Sequence, residues 1–120
     1  MLKDSFSRSG AVLDINVNSG YAIAGTGTTT VSGGTLNING TQTHGAGSLL
    51  NVAAGTANLA SDGGANLSIA ATGNVNLSVA QHLAGLTVGG GGIVSATGGD
   101  LNVAGSTSNN GTIAIASGRT

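Results

Sequence analysis

The amino-acid sequence predicts an all-β protein, a single-stranded parallel β-solenoid in the form of a right-handed β-helix with about five or six short coils. Three observations lead there. A short apolar–polar–apolar phrase recurs along the chain, turn-forming residues separate its copies, and the side chains available for a core are nearly all small aliphatics.

The phrase occurs as Ile15-Asn16-Val17, Leu36-Asn37-Ile38, Leu50-Asn51-Val52, Leu67-Ser68-Ile69, Leu77-Ser78-Val79, Leu86-Thr87-Val88, Leu101-Asn102-Val103 and Ile113-Ala114-Ile115. Such alternation has the two-residue period of a half-buried strand, so the flanking aliphatics face one side and the central residue the other. The aliphatics form the predicted core ladder. Asn16, Asn37, Asn51, Ser68, Ser78, Thr87 and Asn102 form a predicted outward polar ladder that stiffens the stack through hydrogen bonds along its axis.

Between these phrases stand Asn18-Ser19-Gly20, Ser32-Gly33-Gly34, Ala54-Gly55-Thr56, Asp62-Gly63-Gly64, Ala71-Thr72-Gly73, Gly89 to Gly92, Thr97-Gly98-Gly99 and Ser117-Gly118. Gly, Asn and Asp tolerate positive φ, which lets the chain bend tightly there. With Leu50, Leu59, Leu67, Leu77 and Leu86 as markers, the unit recurs about every 8–10 residues, and two or three units make a coil of about 17–25.

A β-sandwich also turns at this spacing, but its two sheets need large side chains to fill a core about 10 Å thick. Phe6 and Tyr21 are the only aromatic residues, whereas a narrow solenoid needs only aliphatics inside. Disorder goes with low hydrophobicity and high net charge; here mean hydropathy is +0.28 and net charge −1. Residues 1–10 read as an N-terminal cap or linker, 11–118 as the repeat domain and 119–120 as a tail. The start carries Lys3 and Arg8 but no apolar stretch of about 7–15 residues, so it is not a signal peptide; either a leader has been removed or the chain is an excerpt of a longer one.

Only 6% of residues are charged, with Lys3, Arg8 and Arg119 as the cations and Asp4, Asp14, Asp62 and Asp100 as the carboxylates. So weak a field argues against nucleic acid as a partner, and no run approaches the roughly 18 apolar residues of a membrane helix. No membrane insertion is expected. His44 and His82 lie far apart in sequence without Cys, and a catalytic or metal role for them would need Asp62 or Asp100 to converge on them across coils. They are read as exposed or corner residues, with no catalytic residue, no metal and no cofactor. Asp62-Gly63-Gly64 and Gly98-Gly99-Asp100 share only composition with calcium-binding β-roll repeats, and no helix or Lys follows Gly89 to Gly92 to make a phosphate loop.

The segment from Leu49-Leu50-Asn51-Val52-Ala53-Ala54-Gly55 to Gly73-Asn74-Val75-Asn76-Leu77, followed by Ala80-Gln81-His82-Leu83-Ala84-Gly85-Leu86-Thr87-Val88, resembles the β-strand repeats of large bacterial surface proteins. These are autotransporter passenger segments and filamentous-haemagglutinin-like adhesins. The resemblance implies a right-handed β-helix exported to the cell surface or beyond, acting as stalk, adhesin or matrix fibre. The expected function is thus non-enzymatic and structural. Leu13, Ile15 and Val17 at one end, with Ile113 and Ile115 at the other, are expected to join copies end to end into filaments, because nothing in the strands between Leu36 and Val103 protects an edge with Lys, Arg or Pro. The alternative is a binding module that presents the Asn/Ser/Thr ladder to glycan or ice, with cell-surface glycans as partners.

Overall fold

The computed structural model describes residues 2–8, 12–15 and 21–120, with side chains from residue 27 onward. It is all-β, with no helix among the described residues, and its strands pair in parallel as stacked coils of a solenoid. Strands β1 (Leu2–Arg8) and β2 (Val12–Ile15) pair with the long strand β3 (Tyr21–Ile38). There follow β4 (Gln42–His44), β5 (Ser48–Leu59), β6 (Leu67–Ala71), β7 (Asn74–Leu77), β8 (Gln81–Leu83), β9 (Gly85–Val88), β10 (Ile93–Ala96), β11 (Leu101–Val103), β12 (Thr107–Asn109) and β13 (Thr112–Ile115).

Register divides these strands among three faces. On the first, Val31 pairs with Val52, Val52 with Ala71, Ala71 with Val88 and Val88 with Asn109. On the second, Leu36 pairs with Ala57, Ala57 with Val75, Val75 with Val94 and Val94 with Ile113. The third face holds β4, β8 and β11, where Gln81 pairs with Leu101 and Leu83 with Val103. Side-chain partners along the stack lie 18 to 22 residues apart in sequence.

Aliphatics therefore stack mostly on aliphatics, with Val88 on Asn109 and Gln81 on Leu101 as exceptions. Val31, Leu36, Ile38, Leu50, Val52, Ala57, Leu59, Leu67, Ile69, Ala71, Val75, Leu77, Leu83, Leu86, Val88, Val94 and Ala96 form one continuous buried cluster. Each fully buried Leu, Ile or Val is worth roughly 1.5–3 kcal/mol relative to exposure, so a core of small aliphatics suffices because each coil is covered by its neighbours.

One corner explains much of the glycine. Gly34, Gly55, Gly73, Gly92 and Gly111 each stand immediately before a second-face strand segment. Gly34 and Gly55 have φ of 71° and 78°, and a Cβ on Gly55 would lie 2.4 Å from the Gly34 carbonyl oxygen. Chain layers approach too closely there for any side chain. Corner hydroxyls do complementary work after the second-face strands: Ser78 Oγ donates to the Leu59 carbonyl at 3.2 Å, and Thr97 Oγ1 to the Leu77 carbonyl at 3.3 Å one coil on.

The phrase Leu77-Ser78-Val79 is thereby corrected. Alternation continues through it, but β7 ends at Leu77, Ser78 stands exposed at the corner, and Val79 is half-buried outside the core cluster.

Candidate functional site

The third face departs most from the aliphatic pattern. Between β4 and β8 the coil at residues 61–64 is not a strand, so its backbone groups lack the regular ladder of the other two faces. Two inward glutamines take over. Gln42 Nε2 donates to the Ser61 carbonyl at 2.9 Å, Gln81 Nε2 donates to the same oxygen at 2.8 Å, and Gln81 Oε1 accepts the Gly63 N–H at 2.8 Å. Gln81 is fully buried, as such an exchange of backbone for side-chain bonds demands.

His44 belongs to the same seam. Its Nε2 lies 3.0 Å from Gln42 Oε1, and the residue is 6% exposed, so the expectation of an exposed or corner imidazole is corrected. It alternates inward with Gln42 around the exposed Thr43. Burial disfavours the imidazolium and lowers its pKa from 6.5 to about 4. The signal available in the sequence was positional: Gln42 and Gln81 are the only glutamines, and each opens a three-residue strand.

On the outside of this face, Asp62 and His82 do converge across one coil. Asp62 Oδ2 meets His82 Nδ1 at 2.6 Å, while Oδ1 accepts the backbone N–H of His82 at 2.8 Å and of Gly64 at 3.0 Å. Partial burial raises the carboxyl pKa, but the bonds from His82 and Gly64 outweigh it and hold the group below its ordinary value. An open cleft of about 320 Å³ lies beside the pair, lined by Ala65, His82, Leu83, Asn102, Val103 and Ala104. An imidazole oriented by a carboxylate is half of a nucleophilic arrangement, but no hydroxyl or thiol lines that cleft, and Asp100 Oδ1 instead accepts the Thr120 N–H at 3.0 Å. No group of three or more His, Cys, Asp or Glu comes together among the described residues. The Asp62–His82 bonds tie one coil to the next. Gly89 to Gly92 form a corner turn, in which the Gly92 N–H donates to the Gly89 carbonyl at 3.0 Å.

The outward polar residues occupy several columns, which corrects the expectation of a single ladder. Asn37 continues through Asn58 and Asn76 on the second face: Asn58 Nδ2 donates to Asn37 Oδ1, and Asn76 Nδ2 to Asn58 Oδ1, both at 2.7 Å. Asn51 and Thr87 share a first-face column with Ala70 between them, whereas Ser68 stands in the neighbouring column with Leu49 and Gly85. Ser78 is the corner residue, and Asn102 pairs with His82 on the third face. Asn16 and Val17 lie outside the described residues. Asn58 and Asn76 join the ladder from outside the eight repeated phrases; their signal in the sequence is the same alternation in Ala57-Asn58-Leu59 and Val75-Asn76-Leu77.

At the ends, Leu13 and Ile15 lie in β2 opposite Leu36 and Ile38. Leu101, Val103 and Ile113 are half-buried and pack against the core from the last coil. Ile115 continues the column Ile38–Leu59–Leu77–Ala96 in register, but in the last coil it is 38% exposed rather than buried. Among the described residues, no helix is long and apolar enough to cross a membrane. Comparison with protein-family models, curated proteins and solved structures found no match.

Proposed function

We propose that this chain is a non-enzymatic structural segment of the cell exterior, a β-solenoid fibre, stalk or adhesin segment whose copies associate end to end into filaments. The observation that carries this reading is the state of the last coil. The column Leu36–Ala57–Val75–Val94–Ile113 runs through the stack, but Ile113 is only half-covered and its neighbour Ile115 is exposed. A strand from another copy, such as β2 with Leu13 and Ile15, would extend both the aliphatic columns and the parallel hydrogen bonding. Such a head-to-tail contact propagates as an open filament.

Sedimentation velocity over a wide concentration range tests it. The native chain is expected to grow in mass with concentration, and Ile115→Lys, which places a charge at the joint without entering the core, to remain monomeric. A native chain that stays monomeric throughout, or a variant that grows equally, contradicts the proposal.

A second reading has its own support. The second face presents Thr35, Thr56 and Asn74 in one column beside Asn37, Asn58 and Asn76 in the next, a polar surface over three coils suited to a glycan, which ends where Ile93 enters the first column. Saturable retention on insoluble polysaccharide, lost on Thr56→Val, favours that reading over a purely mechanical one.

A further inference from the structure

Four tripeptides in the sequence have the Asn-x-Ser/Thr pattern of acceptors for N-linked sugars: Asn39-Gly40-Thr41, Asn66-Leu67-Ser68, Asn76-Leu77-Ser78 and Asn110-Gly111-Thr112. The fold divides them two and two. In the second and third, the middle residue is a core leucine, with Leu67 1% and Leu77 0% exposed. Their amide nitrogens are also engaged, Asn66 Nδ2 with the His44 carbonyl at 2.9 Å and Asn76 Nδ2 with Asn58 Oδ1 at 2.7 Å. Sugar transfer needs that nitrogen, and a transferase cleft must grip the tripeptide on both sides. Presenting either would pull a leucine out of the core and break a bond between coils.

The other two also bond to adjacent coils, through the Gly40 carbonyl, which accepts from Ser61 Oγ, and through the Asn110 and Thr112 N–H groups, but they bury no side chain in the core. Their middle residue is glycine, and the flanking Asn39, Thr41, Asn110 and Thr112 are all exposed. Both asparagines sit at corners: Asn39 follows the last residue of β3, and Asn110 follows β12 and precedes β13. A corner is where a bulky, hydrated substituent projects away from the stack and leaves the flat faces clear.

We propose that Asn39 and Asn110 are acceptor sites for an N-linked sugar, supplied as a glycosyl nucleotide diphosphate or a lipid-pyrophosphate-linked glycan. The Asn Nδ2 forms a bond to the anomeric carbon, the bond from that carbon to the donor phosphate oxygen breaks, the phosphate leaves with the electron pair, and the nitrogen loses a proton. The fold, rather than the tripeptide alone, selects these two sites. This proposal stands independently of filament formation.

The test incubates the purified, folded chain in two arms, one with UDP-glucose and a soluble N-glycosyltransferase, the other with a lipid-pyrophosphate-linked oligosaccharide and a membrane oligosaccharyltransferase. Intact mass and peptide mapping give the readout. Two sugar increments are expected in at least one arm, which identifies the donor type. Asn39→Gln and Thr41→Ala should each remove one increment, Asn110→Gln and Thr112→Ala the other, and Asn66→Gln and Asn76→Gln none. The chain unfolded in urea and diluted into the reaction before refolding should gain increments at Asn66 and Asn76 as well. No increment in either arm, or folded-state increments that persist in the Asn39→Gln/Asn110→Gln double variant, overturns the proposal.

Discussion

Asp62 holds His82 across one coil by two oxygens of a single carboxylate, Oδ1 on the backbone N–H at 2.8 Å and Oδ2 on ring Nδ1 at 2.6 Å. The two contacts are unequal in consequence. The ring contact is a surface pair, with side-chain exposures of 61% for His82 and 38% for Asp62, and such pairs contribute about 0–1 kcal/mol. The backbone contact holds the middle of β8, at His82, against the adjacent coil. Asp62→Ala should therefore destabilise the fold by roughly 1–3 kcal/mol, and His82→Ala by less, in urea unfolding at pH 7. An equal or larger loss for His82→Ala would show that the ring, not the backbone bond, does the tying.

Acid should unfold the protein in two stages. His44 titrates near 4 when folded and near 6.5 when unfolded, so the unfolded chain takes up the proton first and stability falls as pH drops from about 6.5 to about 4. That gap corresponds to about 3 kcal/mol. Asp62, held below its ordinary value, adds a further loss below about pH 3.8, where the unfolded carboxyl protonates before the folded one. In His44→Gln the first stage should vanish while the second remains, measured as urea midpoints at a series of pH values. A variant whose midpoint still falls between pH 6.5 and 4 as in the native chain would assign that stage to another group.

Gln81→Leu provides a third test, because it fits an aliphatic core by pattern yet removes both bonds that Gln81 makes to the strandless coil. The Gly63 N–H loses its partner, and the Ser61 carbonyl keeps only Gln42. A buried polar group without a partner costs about 1–3 kcal/mol, so Gln81→Leu should destabilise despite its greater hydrophobicity. Unchanged or raised stability would mean that the glutamine seam is dispensable.

These residues also mark what the sequence can and cannot reveal. Strand phrases such as Leu36-Asn37-Ile38 and Leu67-Ser68-Ile69 are legible because alternation fixes which side chains turn inward. Corners are less so: Asn74-Val75-Asn76-Leu77-Ser78-Val79 alternates without a break, and only the Ser78 hydroxyl on the Leu59 carbonyl shows that the strand has ended. Alternation also carries no label for the face, which is why one imagined ladder separates into several columns. The polar seam was hidden for a different reason. Gln42 and Gln81 are inward residues that violate the apolar rule, and the partners that reward their burial lie in a neighbouring coil about twenty positions away, at Ser61 and Gly63.

The alternation itself is tested by a pair of adjacent changes. Leu67 is 1% exposed, whereas Ser68 beside it is half-buried on the outer side. Leu67→Asp puts an unpaired charge into the core and should abolish folding, while Ser68→Asp should retain a cooperative transition within a few kcal/mol of the native chain. Circular dichroism with thermal melts separates them. Equal damage from both would contradict the inward and outward assignment on the first face.

Electron microscopy with fibre diffraction on concentrated, purified protein tests the proposed function most directly. Unbranched filaments are expected, with a reflection along the fibre axis near ~4.8 Å, because coils stacked end to end place their strands across that axis. Particles that remain single at high concentration, or filaments that lack this reflection along the axis, would contradict end-to-end assembly of the solenoid.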